Sequence, residues 1–250
     1  MDTHPSGVQP STGTGRHPAP QLYAVCSPGD TSLYPCFRLV PSFLQNREEH
    51  HRTTGSYEAF TDEEITKLIS TFNKLGEDEL RDVSAIAAYS GMRINEIASL
   101  KSDNIREVEG VLCFEVTEGK TRNAARLVPL HSAIRKMVLE RCQKPHNGFL
   151  FYRASVTKRQ DGKRSSWHVN RFGRLKRDIL PGQENKVFHS YRHAVISKLN
   201  AAGVDESRIA LLAGHSFGET ESFKTYSKSV PERIMKELAG YIELINYNVQ

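Results

Sequence analysis

The chain has 250 residues, 38% of them hydrophobic and 25% charged, and carries a formal charge of +5. No apolar run approaches the roughly 20 residues that span a bilayer, and no basic flank leads into an apolar stretch at the N-terminus, so a cytoplasmic protein is expected. Cys26, Cys36, Cys113 and Cys142 are spaced too irregularly for a zinc motif and are too few for a disulfide framework, which predicts isolated reduced thiols.

Residues 1–55 hold seven of the eleven prolines and Ser/Thr/Gly-rich text such as Pro10-Ser11-Thr12-Gly13-Thr14-Gly15. No apolar periodicity survives there, so a disordered, low-complexity segment without a packed core is predicted, with the folded domain running over 56–250. Folded structure is expected to start where Thr61, followed by Asp62, Glu63 and Glu64, caps a helix carrying Ile65, Leu68 and Ile69. Leu80 to Tyr89, with Val83, Ile86 and Ala87, reads as a second helix that ends at Gly91, a residue able to take positive φ. Arg93 follows and leads into a short helix, Ile94 to Leu100. Val111 to Thr117 and Ala125 to Leu130 read as two strands joined by the polar connection 118–124, a hairpin with Lys120 on its turn.

Downstream, Ser132 is expected to cap a helix reaching about Cys142. Between Arg153 and Arg177 nine basic residues face a single acid, Asp161, a stripe that fits a nucleic-acid backbone as well as a merely solvated surface. Trp167, Val169, Phe172, Leu175 and Ile179 give that stretch an apolar side, with Arg171 and Arg174 turned outward. Phe188 to Ala201 reads as an amphipathic helix closing at Gly203, and His189 and Arg192, three apart, share a face of its first turn. Asp205 to Ala213 runs into Gly214-His215-Ser216, Tyr226 comes eleven residues after His215, and a last helix follows Pro231. Its stripe of Met235, Leu238, Ile242 and Ile245 could pack on its own domain or on a neighbouring protomer. The broad class is α+β, mostly helical with a small antiparallel sheet.

Arg93, Lys120, His189, Arg192, His215 and Tyr226 form a set suited to one reaction. Two guanidiniums can neutralise a phosphodiester through forked hydrogen bonds and stay protonated. A tyrosine hydroxyl, with a reference pKa near 10, needs a base or strong positive potential to attack it, and His189 can supply that help. A lysine on a hairpin can protonate the departing oxygen, and His215 can donate to a phosphate oxygen. No carboxylate cluster suited to catalytic magnesium is present, so neither metal nor cofactor is expected. Alternatives remain for each group: Arg93 can simply pair with Glu96, Arg122 competes with Lys120, and His189 and His193 have the spacing of a metal pair but lack the glutamate of a zinc protease.

The segments Ser90-Gly91-Met92-Arg93-Ile94-Asn95-Glu96-Ile97, His189-Ser190-Tyr191-Arg192-His193, Ala213-Gly214-His215-Ser216 and Thr225-Tyr226, with Lys120 in a hairpin between them, resemble the tyrosine recombinases of the phage-integrase family. The resemblance covers roughly residues 57–247, with Tyr191 and Ala213 standing where leucine is usual. It implies an integrase-like catalytic domain in which Tyr226 is the nucleophile, Arg93 and Arg192 clamp the scissile phosphate, Lys120 is the general acid, and His189 and His215 assist. It further implies a site-specific recombinase that cuts and rejoins double-stranded DNA through a 3′-phosphotyrosine without metal or ATP. By the same resemblance the free protein is a monomer, the active assembly is a tetramer on paired sites with DNA-bending accessory proteins, and the setting is bacterial or phage-encoded and nucleoid-associated. Arg122, Lys158, Arg159, Arg171 and Arg174 are the expected DNA contacts. The family's helical core-binding domain usually precedes the catalytic domain, and residues 1–55 stand in its place. That fits a truncated integrase, a mis-assigned start, or a protein holding DNA with fewer phosphate contacts and weaker affinity. The other readings are a DNA-binding remnant that occupies sites without efficient recombination, and a topoisomerase that shares the chemistry.

Overall fold

The structure is a computed structural model that describes residues 57–117, 125–157, 159–214 and 233–247. The expectations for residues 1–55 and for Lys120, Arg122, Lys158, His215 and Tyr226 lie outside the described residues. Within them the helices are α1 (Asp62–Lys74), α2 (Asp78–Ser90), α3 (Ile94–Ala98), α4 (Ser132–Gln143), α5 (Tyr152–Val156), α6 (Ser166–Ile179), α7 (Ser190–Ala201), α8 (Glu206–Ala213) and α9 (Met235–Ile242). Three strands, β1 (Ile105–Val108), β2 (Val111–Val116) and β3 (Arg126–Pro129), form one antiparallel sheet in the order β1-β2-β3. The fold is therefore mostly helical with a small antiparallel sheet.

The N-terminal turn of α1 closes as its sequence requires. The Thr61 hydroxyl accepts from the Glu64 N–H at 3.3 Å, and the Glu64 carboxylate accepts from the Thr61 N–H at 2.9 Å. Two otherwise orphaned donors are thereby satisfied, and Ile65, Leu68, Ile69 and Phe72 turn into the core. Helix α2 is the hub of the packing: Leu80, Val83, Ile86, Ala87 and Ala88 are fully buried, and α1, α3, α4, α6 and α7 all pack against it. It ends at Gly91, which takes φ +64°. A Cβ at Gly91 would lie 3.1 Å from a Val195 methyl, so both the backbone conformation and the closeness of α7 favour glycine.

Several local expectations need correction. Strand β1 is not legible as a strand in the sequence. It pairs with β2 through Glu109 and Gly110, whose positive φ values of 53° and 77° match a two-residue hairpin turn. His131 rather than Ser132 caps α4: its Nδ1 accepts from the Ala133 N–H at 2.9 Å, and Ser132 instead bonds Glu243. The buried side of α6 is His168, Phe172, Lys176 and Ile179, while Val169 is exposed. Lys176 is inside because its ammonium donates to the Gln183 carbonyl, so one cation of the basic stripe is a structural group. His189 is the N-cap of α7 rather than part of its first turn. Helix α9 packs on β2 and β3 of its own chain, with Met235, Leu238, Ile242 and Ile245 buried, so the apolar stripe is covered in cis. Tyr247 closes that edge, donating to the Ala88 carbonyl while its own carbonyl accepts from the Tyr89 hydroxyl.

Candidate active site

Arg93 is the N-cap of α3, in an extended conformation just after the left-handed Gly91 turn. Its own N–H donates to Glu96 Oε2 and its Nη1 to Glu96 Oε1, each at 2.9 Å. The third contact is long, from Nη2 to the Gly214 carbonyl at 3.4 Å. The pairing with Glu96 that the sequence offered as an alternative is therefore present, and it coexists with access, since the Arg93 side chain is still 40% exposed. Glu96 restrains the base of the guanidinium and leaves much of the group facing outward.

Arg192 behaves differently. It sits in the first turn of α7 and is 2% exposed, among the largest fully buried side chains of the described residues. Its Nη1 donates to the Gly91 carbonyl at 2.9 Å, while Nε and Nη2 are buried and find no partner among the described residues. Burial, then the positive charges of Arg93 and Arg126, push its pKa down to about 9. The group remains a cation at neutral pH, but an under-compensated one. Two donor nitrogens unpaired among the described residues, on a planar cation, match the non-bridging oxygens of a phosphate.

Glu96 is the carboxylate that Arg93 and Arg126 share. Burial alone would raise its pKa, but hydrogen bonds and charge from Arg126, with hydrogen bonds from Arg93, hold it below the usual carboxylate range. Arg126 stands at the start of β3, and the sequence alone marks it only as a strand residue. In the structure its side chain is 5% exposed and donates from Nη1 and Nη2 to the two Glu96 oxygens at 3.1 and 2.9 Å. Nothing in the local sequence announces a partner 30 residues away; the visible signal is only a charged residue in an otherwise apolar strand.

His189 lies at the entrance of α7, its ring edge-on to His193 with centroids 5.0 Å apart. Burial, then the positive fields of His193, Arg192 and Arg93, lower its pKa below the ordinary imidazole value. It is thus neutral at pH 7 and able to accept a proton. No group of three or more metal-ligating side chains occurs among the described residues. Arg93, Arg192 and His189 come together; Lys120, His215 and Tyr226 lie outside the described residues, although Gly214, the residue before His215, ends α8 with φ +68° beside Arg93.

The proposed DNA contacts scatter. Arg174 is exposed. Arg159 is exposed but paired with Asp161 at 3.0 Å, and Arg171 pairs with Glu77. Arg164 is half-buried, donating to the Ala154 and Thr157 carbonyls and covering the Phe149 ring. The stripe is therefore a mixture of solvated and structural cations.

The sequence model of the Phage integrase family matches residues 58–233. A tyrosine recombinase of Thermosipho africanus is 28% identical over 166 residues, covering 65% of this chain and 54% of that protein. The y4rC protein of Sinorhizobium fredii is also 28% identical, over 142 residues, covering 54% of this chain and 41% of its own length. The chain thus spans about half the length of the curated relatives it matches. Among solved structures, the Tn1549 transposon integrase in complex with transposon right end DNA matches with a TM-score of 0.49 and 19% identity, over 74% of this chain and 66% of that one.

Proposed function

Because the chain belongs to the phage integrase family, we propose that it is a site-specific DNA recombinase whose residues 56–250 form the catalytic domain and whose nucleophile is Tyr226. The observation that carries this reading is Arg192: a buried cation with two donor nitrogens unpaired among the described residues, beside the half-exposed Arg93. A protein keeps such an arrangement at a cost in stability, and an anionic ligand relieves it. A phosphodiester in duplex DNA is that ligand in this family.

The chemistry follows from the charges. Arg93 and Arg192 hold the non-bridging oxygens and stabilise charge as the phosphorus becomes five-coordinate. The Tyr226 oxygen attacks the phosphorus as its proton passes to neutral His189. The P–O5′ bond breaks, and Lys120 protonates the leaving 5′-oxygen, while His215 donates to a phosphate oxygen. The DNA 3′-phosphate is then esterified to Tyr226. Attack by another 5′-hydroxyl reverses these steps and releases the tyrosine, so phosphodiester energy is conserved without metal or ATP. Arg122, Lys158, Arg159, Arg171 and Arg174 supply backbone contacts, Arg159 and Arg171 by exchanging carboxylate partners for phosphates. We further propose a monomer that assembles as a tetramer on paired duplexes with DNA-bending accessory proteins, in the bacterial cytoplasm at the nucleoid. No helix among the described residues is long and apolar enough to cross a membrane.

The reading is tested by mixing the protein with a nicked-fragment library of its source genome and recovering denaturant-resistant complexes. The expected result is enrichment of one sequence class, captured by the wild type and not by Tyr226→Phe. Equal sequence-specific retention by both proteins, with no covalent capture, would instead identify a DNA-binding remnant. Relaxation of supercoiled DNA without any enriched site would indicate a topoisomerase.

The lowered pKa of His189 gives a pH dependence with a definite sign. Since the imidazole is neutral at pH 7 and protonation disables it as a base, the cleavage rate should stay level through neutrality and fall on the acid side of the ordinary imidazole value of 6.5. The decline should be about tenfold per pH unit. Single-turnover rates from pH 5 to 8 check this, and an unchanged acid limb in His189→Gln would assign that titration to another group.

A further inference from the structure

One cation ties together three segments that the proposed reaction needs. Arg126 Nε donates to the Leu212 carbonyl at 2.8 Å, while its two terminal nitrogens hold both oxygens of Glu96. Gly214 packs on the same guanidinium: a Cβ there would lie 2.8 Å from Nη1, 3.0 Å from Cζ and 3.1 Å from Cδ. Arg126 opens β3, so it stands at the foot of the connection that carries Lys120. Leu212 lies in the last turn of α8, two residues before Gly214 and three before His215. Glu96 in turn fixes the backbone and guanidinium of Arg93.

The electrostatics give this arrangement a purpose. A buried carboxylate bonded to one arginine alone would draw that arginine in and compete with phosphate for it. Shared between two arginines, Glu96 can orient Arg93 while leaving donors on it free for an anion. The last carbonyls of a helix lack intrahelical partners and carry partial negative charge, so the Leu212–Arg126 bond also fixes the end of α8.

We propose that Arg126 is a positioning residue for the recombination reaction, sharing Glu96 with Arg93 and locking the end of α8 that leads to His215. This rests on the recombinase reading above, and it assigns Arg126 no contact with DNA. A lysine cannot reproduce it, since one ammonium cannot fork to both Glu96 oxygens and reach Leu212.

The test compares wild type with Arg126→Lys, Arg126→Gln and the double variant Arg126→Gln/Glu96→Gln. At saturating DNA, Arg126→Gln should slow formation of the Tyr226 adduct by about 100-fold, as small misplacements of catalytic groups do. DNA affinity should stay within about threefold, because phosphate contacts set it. Arg126→Lys should fall between. Adding Glu96→Gln should restore at least about tenfold of the rate, since removing both charges releases Arg93 and leaves no unpaired ion. A purely structural role would lower the melting temperature, with no rescue from the second change. Amide exchange gives a readout independent of activity: the Gly214 N–H, bonded to the Ala210 carbonyl at 2.8 Å, and the Arg93 N–H should exchange about tenfold faster in Arg126→Gln, with α1 unaffected. An unchanged adduct rate, absence of rescue, or unchanged exchange at both amides overturns the proposal. If the wild type itself forms no adduct, the recombinase reading fails, and the exchange of these two amides then decides the positioning role alone.

Discussion

Arg192→Met should make the free protein more stable while lowering DNA cleavage by about 1,000-fold or more. The two effects have the same origin. Arg192 is 2% exposed and offers Nε and Nη2 to no partner among the described residues, and burial with neighbouring cations brings its pKa down to about 9. Below that value both folded and unfolded chains are protonated, so the penalty is present across the neutral range and does not vary with pH there. Methionine has a similar length without the charge. Its introduction leaves the Gly91 carbonyl without its donor, a loss of about 1–3 kcal/mol, but it removes a buried ion whose penalty is several kcal/mol. The ion wins, and thermal denaturation should show a higher midpoint for the variant. Added inorganic phosphate should raise the wild-type midpoint and leave the variant's unchanged, because only the wild type gains a pair for its buried cation. A variant that melts lower, or a wild type indifferent to phosphate, would mean that Arg192 is compensated within the fold and is not held open for an anion.

Glu96→Leu should act in the opposite direction. The carboxylate accepts four hydrogen bonds, two from Arg93 and two from Arg126, and both it and the Arg126 side chain are 5% exposed. Removing it takes from the buried Arg126 side chain the carboxylate that both of its terminal nitrogens hold, at a cost of about 3–5 kcal/mol. For a folded unit of this size the melting temperature should fall on the order of 10 °C. Cleavage should fall as well, since Arg93 loses its orientation. Glu96→Gln keeps an acceptor and should be milder. A Glu96→Leu protein that melts with the wild type would show that α3 and β3 are held together by apolar contacts and that the shared carboxylate contributes little.

Much of the scaffold is legible in the sequence because its signals are local. Thr61 and Glu64 lie three residues apart and announce the start of α1. Gly91 and Gly214 each end a helix in the left-handed conformation that glycine favours, and both sit next to candidate site residues. Strand β1 has no local signal because Ile105-Arg106-Glu107-Val108 has two exposed polar residues at its centre and gains its order by pairing with β2. The cap at His131 is not legible because histidine is not among the usual capping residues, and its other nitrogen is engaged by the Ile245 carbonyl, 114 residues away.

The site divides along the same line. Arg93, His189 and Arg192 could be picked out by residue type and spacing, but their electrostatic states could not. That Arg192 is buried while Arg93 stays half-exposed depends on the crossing of α2 and α7 at Gly91 and Val195. That Arg126 belongs with them depends on the sheet meeting the end of α8. Long-range contacts of this kind carry no periodic signature, and they decide how each cation is buried and paired within the fold.

The most direct measurement is tandem mass spectrometry of the nuclease-trimmed, proteolysed adduct from the nicked substrate. The expected result is a single modified peptide bearing a nucleotide joined through its 3′-phosphate to the Tyr226 oxygen. A link to any other side chain, a 5′-phosphate at the junction, or no covalent product from a duplex that the protein demonstrably binds would contradict a phosphoryl-transfer centre built around Arg93, His189 and Arg192.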